Sequence, residues 1–214
     1  LKHWTTSSNS EICLILGNIP SRFALRHFCF DIIHELQTVG VPCLLAIKTN
    51  HPQDTGTDSI SNVDLLKYLV RQALEYTKGS QTESSMALNC TTVSCARSEA
   101  EWLDILGFSL EMIGKQIYII LDLGILDQKL VSSYHDFSWL KGFRELFAKL
   151  STQRPNLRVK VMLVNYSSSV PFDVSAEEYS ASCIPVRAEM TTIRLQKRSS
   201  HERPGRFNLA IRRR

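Results

Sequence analysis

Long apolar runs are missing from this chain of 214 residues. Nowhere do about eighteen unbroken apolar residues occur, which excludes an ordinary membrane-spanning helix. No basic stretch followed by an apolar run and a cleavage site opens the chain, so no secretory signal is visible. Metal-ligand spacing is missing as well. His3, His27, His34, His51, His135 and His201 form no ligand pattern, and His27 and His34 are too far apart on one helix to share an ion unaided. Cys90 and Cys95 lie close together in a polar stretch, but no His or second cysteine pair stands nearby to complete a zinc site. Cys13, Cys29 and Cys43 fall inside apolar runs, where a thiol packs as a small hydrophobe. A disulfide-stapled fold does not suit this length, so reduced thiols and a cytoplasmic location are expected. Neither a Gly-x-Ser-x-Gly elbow nor a supported Cys–His pair is present, which removes the common nucleophilic hydrolases.

What the chain does have is a globular balance: 43% hydrophobic and 21% charged residues exclude wholesale disorder. The net charge of +4 is unevenly spread. From Arg194 to Arg214 eight Lys/Arg face one acid, Glu202, which leaves the rest of the chain slightly acidic. Such a tail can attract nucleic acid, an anionic membrane or an acidic partner, although a solvated, disordered end is the plainer reading. The chain begins at Leu1 rather than Met, which reads as a piece of a longer protein.

Four short apolar runs, Ile12–Leu16, Val41–Ile47, Ile117–Leu121 and Val159–Val164, suit strands covered on both faces. Helical periodicity lies between them. Leu25, Phe28, Ile32, Ile33 and Leu36 share one face of a helix that Gly40 closes; Leu66, Leu69, Val70, Ala73 and Leu74 mark a second. A third opens at Ser98 with Glu101 completing a capping box and runs through Trp102, Ile105, Leu106, Leu110 and Ile113. Leu140, Phe143, Phe147 and Leu150 stripe a fourth, and these aromatics read as core rather than as a base-stacking platform. Thr192–Leu195 alternates as a possible last strand, whereas residues 51–61, 78–97 and 166–190 read as loops or crossings. Strands alternating with helices predict an α/β fold: an open, mostly parallel sheet with helices on both faces, a three-layer sandwich. The expected division is an N-terminal extension over 1–10, the α/β domain over 11–195 and the basic tail over 196–214.

Ligands of such sheets bind beyond the carboxyl ends of the strands. After the first predicted strand, Gly17-Asn-Ile-Pro-Ser-Arg22 leads straight into a helix, where backbone N–H groups and the helix dipole favour an anion. The third strand ends at Asp122, a position suited to a carboxylate that orients a metal-bound water, and the fourth ends at Asn165, a polar side chain placed to sense a terminal phosphate. Asp122 can equally be a strand-end residue that caps the next turn. The candidate nucleotide-site residues are therefore Gly17, Ser21, Arg22, Asp122 and Asn165. No residue is assigned a catalytic or metal-binding role.

Over roughly residues 11–170 the sequence resembles the P-loop NTPases, and among them the NACHT branch of the signal-transducing (STAND) ATPases common in fungi, of the nephrocystin-like type. Ile15-Leu-Gly17, Leu65–Leu74, Tyr118–Asp122 and Val159–Val164 carry the resemblance, by element order and spacing. It implies a nucleotide switch in a larger signalling protein. The motifs themselves are degenerate. Walker A reads G-x-x-x-x-G-K-[ST]; aligned on Gly17, its second Gly, Lys and hydroxyl fall on Arg22, Phe23 and Ala24. Ile125 and Leu126 stand where NACHT relatives carry further acids, and Tyr166-Ser167-Ser168 is the nearest match to their Ser-Arg pair. Each lost group is typically worth about 10²–10⁴-fold in rate, so negligible ATP hydrolysis is expected. The resulting expectation is a non-hydrolysing regulatory or interaction module acting on protein partners or on other domains of its own chain. Residual ATP/ADP binding without hydrolysis is one alternative, and a nucleic-acid or anionic-membrane adaptor working through the tail is another.

Overall fold

The computed structural model describes residues 2–47, 60–77, 93–126, 137–166 and 183–186. Five parallel strands form its sheet: β1 (Glu11–Gly17), β2 (Cys43–Ala46), β3 (Gln116–Asp122), β4 (Arg158–Asn165) and β5 (Cys183–Val186). Their order is β2-β3-β4-β1-β5, so β4 is inserted between the first and third strands. The helices are α1 (Lys2–Thr6), α2 (Arg22–Thr38), α3 (Asn62–Thr77), α4 (Glu99–Ile113) and α5 (Trp139–Gln153). The open α/β architecture expected from the alternating pattern is the one observed.

Pleating divides the core into two layers. Leu14, Leu44, Ile117, Ile119, Leu121, Val161 and Leu163 point to one face and pack with α3, α4 and α5 through Leu66, Leu69, Leu106, Leu110 and Phe143. Cys13, Ile15, Cys43, Tyr118, Ile120, Met162 and Val164 point to the other and meet α2 through Leu25, Cys29 and Ile33. Trp4 of α1 joins this second layer, stacking edge-on against Tyr118 at 5.5 Å and donating its indole N–H to the Glu11 carbonyl. The first residues, expected as an extension, thus include a helix seated on the sheet.

Helix starts follow local chemistry. Ser98 and Glu101 form the expected reciprocal capping box, and the Glu101 carboxyl lies below its usual range because the N–H groups of Arg97 and Ser98 bond its charged form. Ser138 caps α5. The open edge at β2 is covered from α3: Gln72 donates Nε2–H to the Leu45 carbonyl (2.8 Å) and accepts the Leu45 N–H (3.0 Å), standing in for a neighbouring strand.

Two elements depart from the periodicity reading. Arg26 lies on the buried face of α2, with Leu25, Cys29 and Ile33, while Phe28, Ile32 and Leu36 are only half-buried. β5 lies in the stretch read as a crossing, because Pro185 discourages a strand assignment; it is tolerated at the sheet edge, where among the described residues β5 pairs with β1 alone. The possible strand at Thr192–Leu195 and the basic tail lie outside the described residues.

Lys160 of β4 is fully buried, its Nζ 3.7 Å from a Glu11 carboxylate oxygen, too far for a hydrogen bond, and it has no other hydrogen-bond partner among the described residues. Burial pulls its ammonium pKa down, against the opposing pull of Glu11. Among the described residues no helix is long and apolar enough to cross a membrane.

Candidate functional site at the strand ends

The helix after β1 packs on one face of the sheet, whereas α5, the first described helix after β3, packs on the other. The chain therefore diverges around the carboxyl end of β4, which makes a crevice of the kind that holds ligands in open α/β sheets. Gly17, Ser21, Asp122 and Asn165 all reach this region, in the register Leu16↔Asn165 and Asp122↔Val164.

The turn after β1 is closed by its own side chains. Asn18 Oδ1 accepts the Ser21 N–H at 3.1 Å, while Ser21 Oγ accepts the Asn18 N–H at 2.9 Å and donates to the Asn18 carbonyl at 2.7 Å. This reciprocal box winds Ile19–Ser21 into a short 3₁₀ turn and leaves Ser21 only 1% exposed. Gly17 is needed for close approach: a Cβ there would collide with Leu25 Cδ1 and lie 2.6 Å from Ser21 Oγ. Arg22 opens α2 half-buried, with its guanidinium 4.6 Å from the Phe23 ring centroid.

Asp122 is 2% exposed and its two oxygens are engaged. Oδ1 accepts the Gly124 N–H at 2.9 Å, capping the turn Leu123–Ile125, and Oδ2 accepts the Tyr166 hydroxyl at 3.0 Å. That hydroxyl in turn accepts Arg26 Nη2–H at 2.9 Å, and Arg26 Nε lies 3.6 Å from Asp122 Oδ2. Gly124 makes room for the phenol, since a Cβ at that position would run into Tyr166 ring atoms. Burial, followed by the Asp122 charge, raises the Tyr166 pKa, with Arg26 opposing both. Arginine, phenol and carboxylate form one buried network of opposite charges, in which the buried Arg26 Nε has no hydrogen-bond acceptor among the described residues.

Asn165 is 3% exposed but falls on the opposite pleat parity from Val164, so it does not join this network. Of the five residues singled out in sequence, Gly17 and Ser21 belong to the closed turn, Asp122 anchors the cluster, and Arg22 and Asn165 stand apart. Arg26 was missed. Its signal was helical spacing: Arg26, Cys29 and Ile33 lie at three- and four-residue steps, which puts a cation on an apolar face. Tyr166 entered the sequence reading only as a poor match to a family motif.

A triphosphate and its magnesium do not fit these residues as they stand. Ser21 is bound back onto its own turn, the space over Gly17 holds Leu25 and Ser21, and Asp122 faces a fixed internal cation. Among the described residues no cluster of three or more His, Cys, Asp or Glu side chains is arranged to hold a metal.

The chain matches no family model, and no curated protein matches it. The solved structures to which the chain is similar include two archaeal ones. One is the Aeropyrum pernix ORC2 protein in its ADP form, at 15% identity and a TM-score of 0.49, with 87% of this chain and 45% of that one covered. The other is the Aeropyrum pernix ORC1 protein in complex with DNA, at 13% identity and a TM-score of 0.39, with 87% and 41% covered. The chain spans less than half the length of either.

Proposed function

We propose that this chain is a degenerate P-loop, NACHT-like switch domain that no longer hydrolyses nucleotide and serves as a regulatory or interaction module. The observation that carries the reading is the burial of Asp122, 2% exposed, against the Gly124 N–H, the Tyr166 hydroxyl and the Arg26 guanidinium. A carboxylate that positions a metal-bound water needs an oxygen free to accept from that water. Here both oxygens are buried, each already accepts an internal hydrogen bond, and the Arg26 Nε lies 3.6 Å from Oδ2. The closed Asn18–Ser21 turn supports the same reading at the other end of the crevice, because exposed backbone donors are what a phosphate requires. Arg26 supplies internally the positive charge that a metal or a phosphate-binding lysine would otherwise bring.

Steady-state ATP turnover by the purified chain tests this. Release of phosphate at the buffer rate, with and without Mg²⁺, is expected. Mg²⁺-dependent turnover that Asp122→Ala abolishes would overturn the proposal.

A further inference from the structure

Near the amino ends of the strands, away from the crevice, three unlike side chains stand abreast. Glu11 pairs with Lys160 and Lys160 with Tyr118 across β1, β4 and β3. All three therefore project from one face of the sheet, one strand spacing of about 4.8 Å apart. Helix α1 crosses them. Its Trp4 stacks edge-on against Tyr118 on one side and donates its indole N–H to the Glu11 carbonyl at 3.2 Å on the other, which lays the indole over the lysine between them. Trp4 and Lys160 are buried, whereas His3, Thr5 and Thr6 of the same helix are exposed.

Two opposed effects meet under this helix. Burial of the indole favours the seated position. The Lys160 ammonium opposes it. Among the described residues its Nζ has no hydrogen bond, and the Glu11 carboxylate at 3.7 Å is its one opposite charge. Taking an ammonium out of water with so little in return is unfavourable. The same Glu11 oxygen lies 3.7 Å from His3 Nδ1, but that imidazole is 90% exposed and such a contact contributes little. Nor does α1 hold itself, because five residues are too few for a helix to persist alone. Ser7-Ser8-Asn9 joins it to the sheet without an apolar side chain, and Ser10, whose Oγ accepts the Val159 N–H at 3.0 Å, marks where the chain is tied back to β4.

We infer that α1 is a lid hinged at residues 7–9, which swings off the sheet while the rest of the fold stays intact, and that the buried Lys160 ammonium is the group that drives it open. Opening returns the charge to water and gives up the seat of one indole. It bares an amine flanked by a carboxylate and a phenol, a polar cleft that the closed chain hides. This inference is independent of the state of the nucleotide site.

Fluorine NMR of the whole chain labelled with fluorotryptophan reads the lid directly, with the Trp4 resonance assigned through Trp4→Phe. Saturation transfer is expected to reveal a solvent-exposed minor state at Trp4, with Trp102 and Trp139 unaffected. Glu11→Gln removes the carboxylate and leaves the ammonium, so it is expected to raise the open population by about tenfold. Lys160→Met removes the charge and keeps an apolar stem, so it is expected to lower that population by about the same factor. In the Lys160→Met background, Glu11→Gln is expected to have no further effect, since the charge it acts on is gone. An amine-acetylating reagent gives a second reading: peptide mapping is expected to find Lys160 modified in the folded wild type, and faster in Glu11→Gln. A Trp4 signal that exchanges only together with those of Trp102 and Trp139, an open population indifferent to Lys160→Met, or a Lys160 that reacts only on global unfolding would each overturn the proposal.

Discussion

Around Asp122 a carboxylate, a phenol and a guanidinium share one buried space, and their charges balance only as a set. Removing one member leaves another uncompensated, which costs more than the pair itself contributes. Arg26→Met is therefore expected to destabilise the chain by about 3 kcal/mol. In an Asp122→Asn background the same change should cost at least about 1 kcal/mol less, since the stranded charge is gone. Urea unfolding of the four proteins in the cycle measures this; additive costs would show that the two side chains are not coupled. Lys160 presents the opposite case. Among the described residues its buried ammonium has no hydrogen bond and Glu11 is its only charge partner; Glu11 is a quarter exposed and retains water if the lysine is lost. Lys160→Met should leave the melting temperature unchanged or raise it, and a clear drop would mean that the ion pair stabilises the sheet. None of this is visible in a linear sequence, because Arg26 and Tyr166 are 140 positions apart and hydrophobic patterning gives a buried arginine no weight.

Helices and central strands were the legible part of the chain, and the reason is physical. β1, β3 and β4 are covered on both faces and so read as apolar runs, interrupted in β4 by Lys160, while the Ser98–Glu101 box is a local exchange of hydrogen bonds written within four residues. Edge elements are governed by partners far along the chain. β5 contains Pro185 and exists because β1 offers it an open side. At the opposite edge, Gln72 reads in sequence as one more polar residue of an amphipathic helix, yet its amide satisfies both backbone groups of Leu45. Gln72→Ala should cost about 1–2 kcal/mol, because it leaves that N–H and C=O without their partner. It should also increase aggregation on mild heating by exposing the β2 edge. Light scattering together with thermal melting checks both effects, and a variant indistinguishable from wild type would show that water serves Leu45 equally well.

On the scale of the whole molecule, α/β order and layer count were legible, whereas the state of the strand-end crevice was not. Gly17 and Asp122 lie at the carboxyl ends of β1 and β3, where the sequence reading expects a nucleotide, and only the fold shows Leu25, Ser21 and Tyr166 packed over Gly17 and Arg26 beside Asp122. The same buried groups give the chain an alkaline signature. Burial pushes the thiol of Cys13 up to about 11 and those of Cys29 and Cys43 up to about 12 from an ordinary 9.0, and the Tyr166 phenol is raised as well. The unfolded chain releases these protons first, so their contribution is complete below the ordinary thiol value and is lost as pH rises towards 11–12. Lys160, lowered by burial, contributes in the opposite sense, one group against four. Stability measured by urea unfolding should therefore fall steadily above about pH 9, and a flat profile would contradict the burial of these groups.

On the proposed reading, in which Arg26, Tyr166 and the Asn18–Ser21 turn hold the strand-end crevice shut, the chain is indifferent to nucleotide. A ligand that binds the folded chain at one hundred times its Kd raises stability by about 2.7 kcal/mol, a shift of several degrees for a domain of this size. Melting the whole chain with and without millimolar Mg²⁺-ATP measures this most directly. An unchanged melting temperature is the predicted result, and a rise of several degrees, lost in Asp122→Ala, would contradict the account.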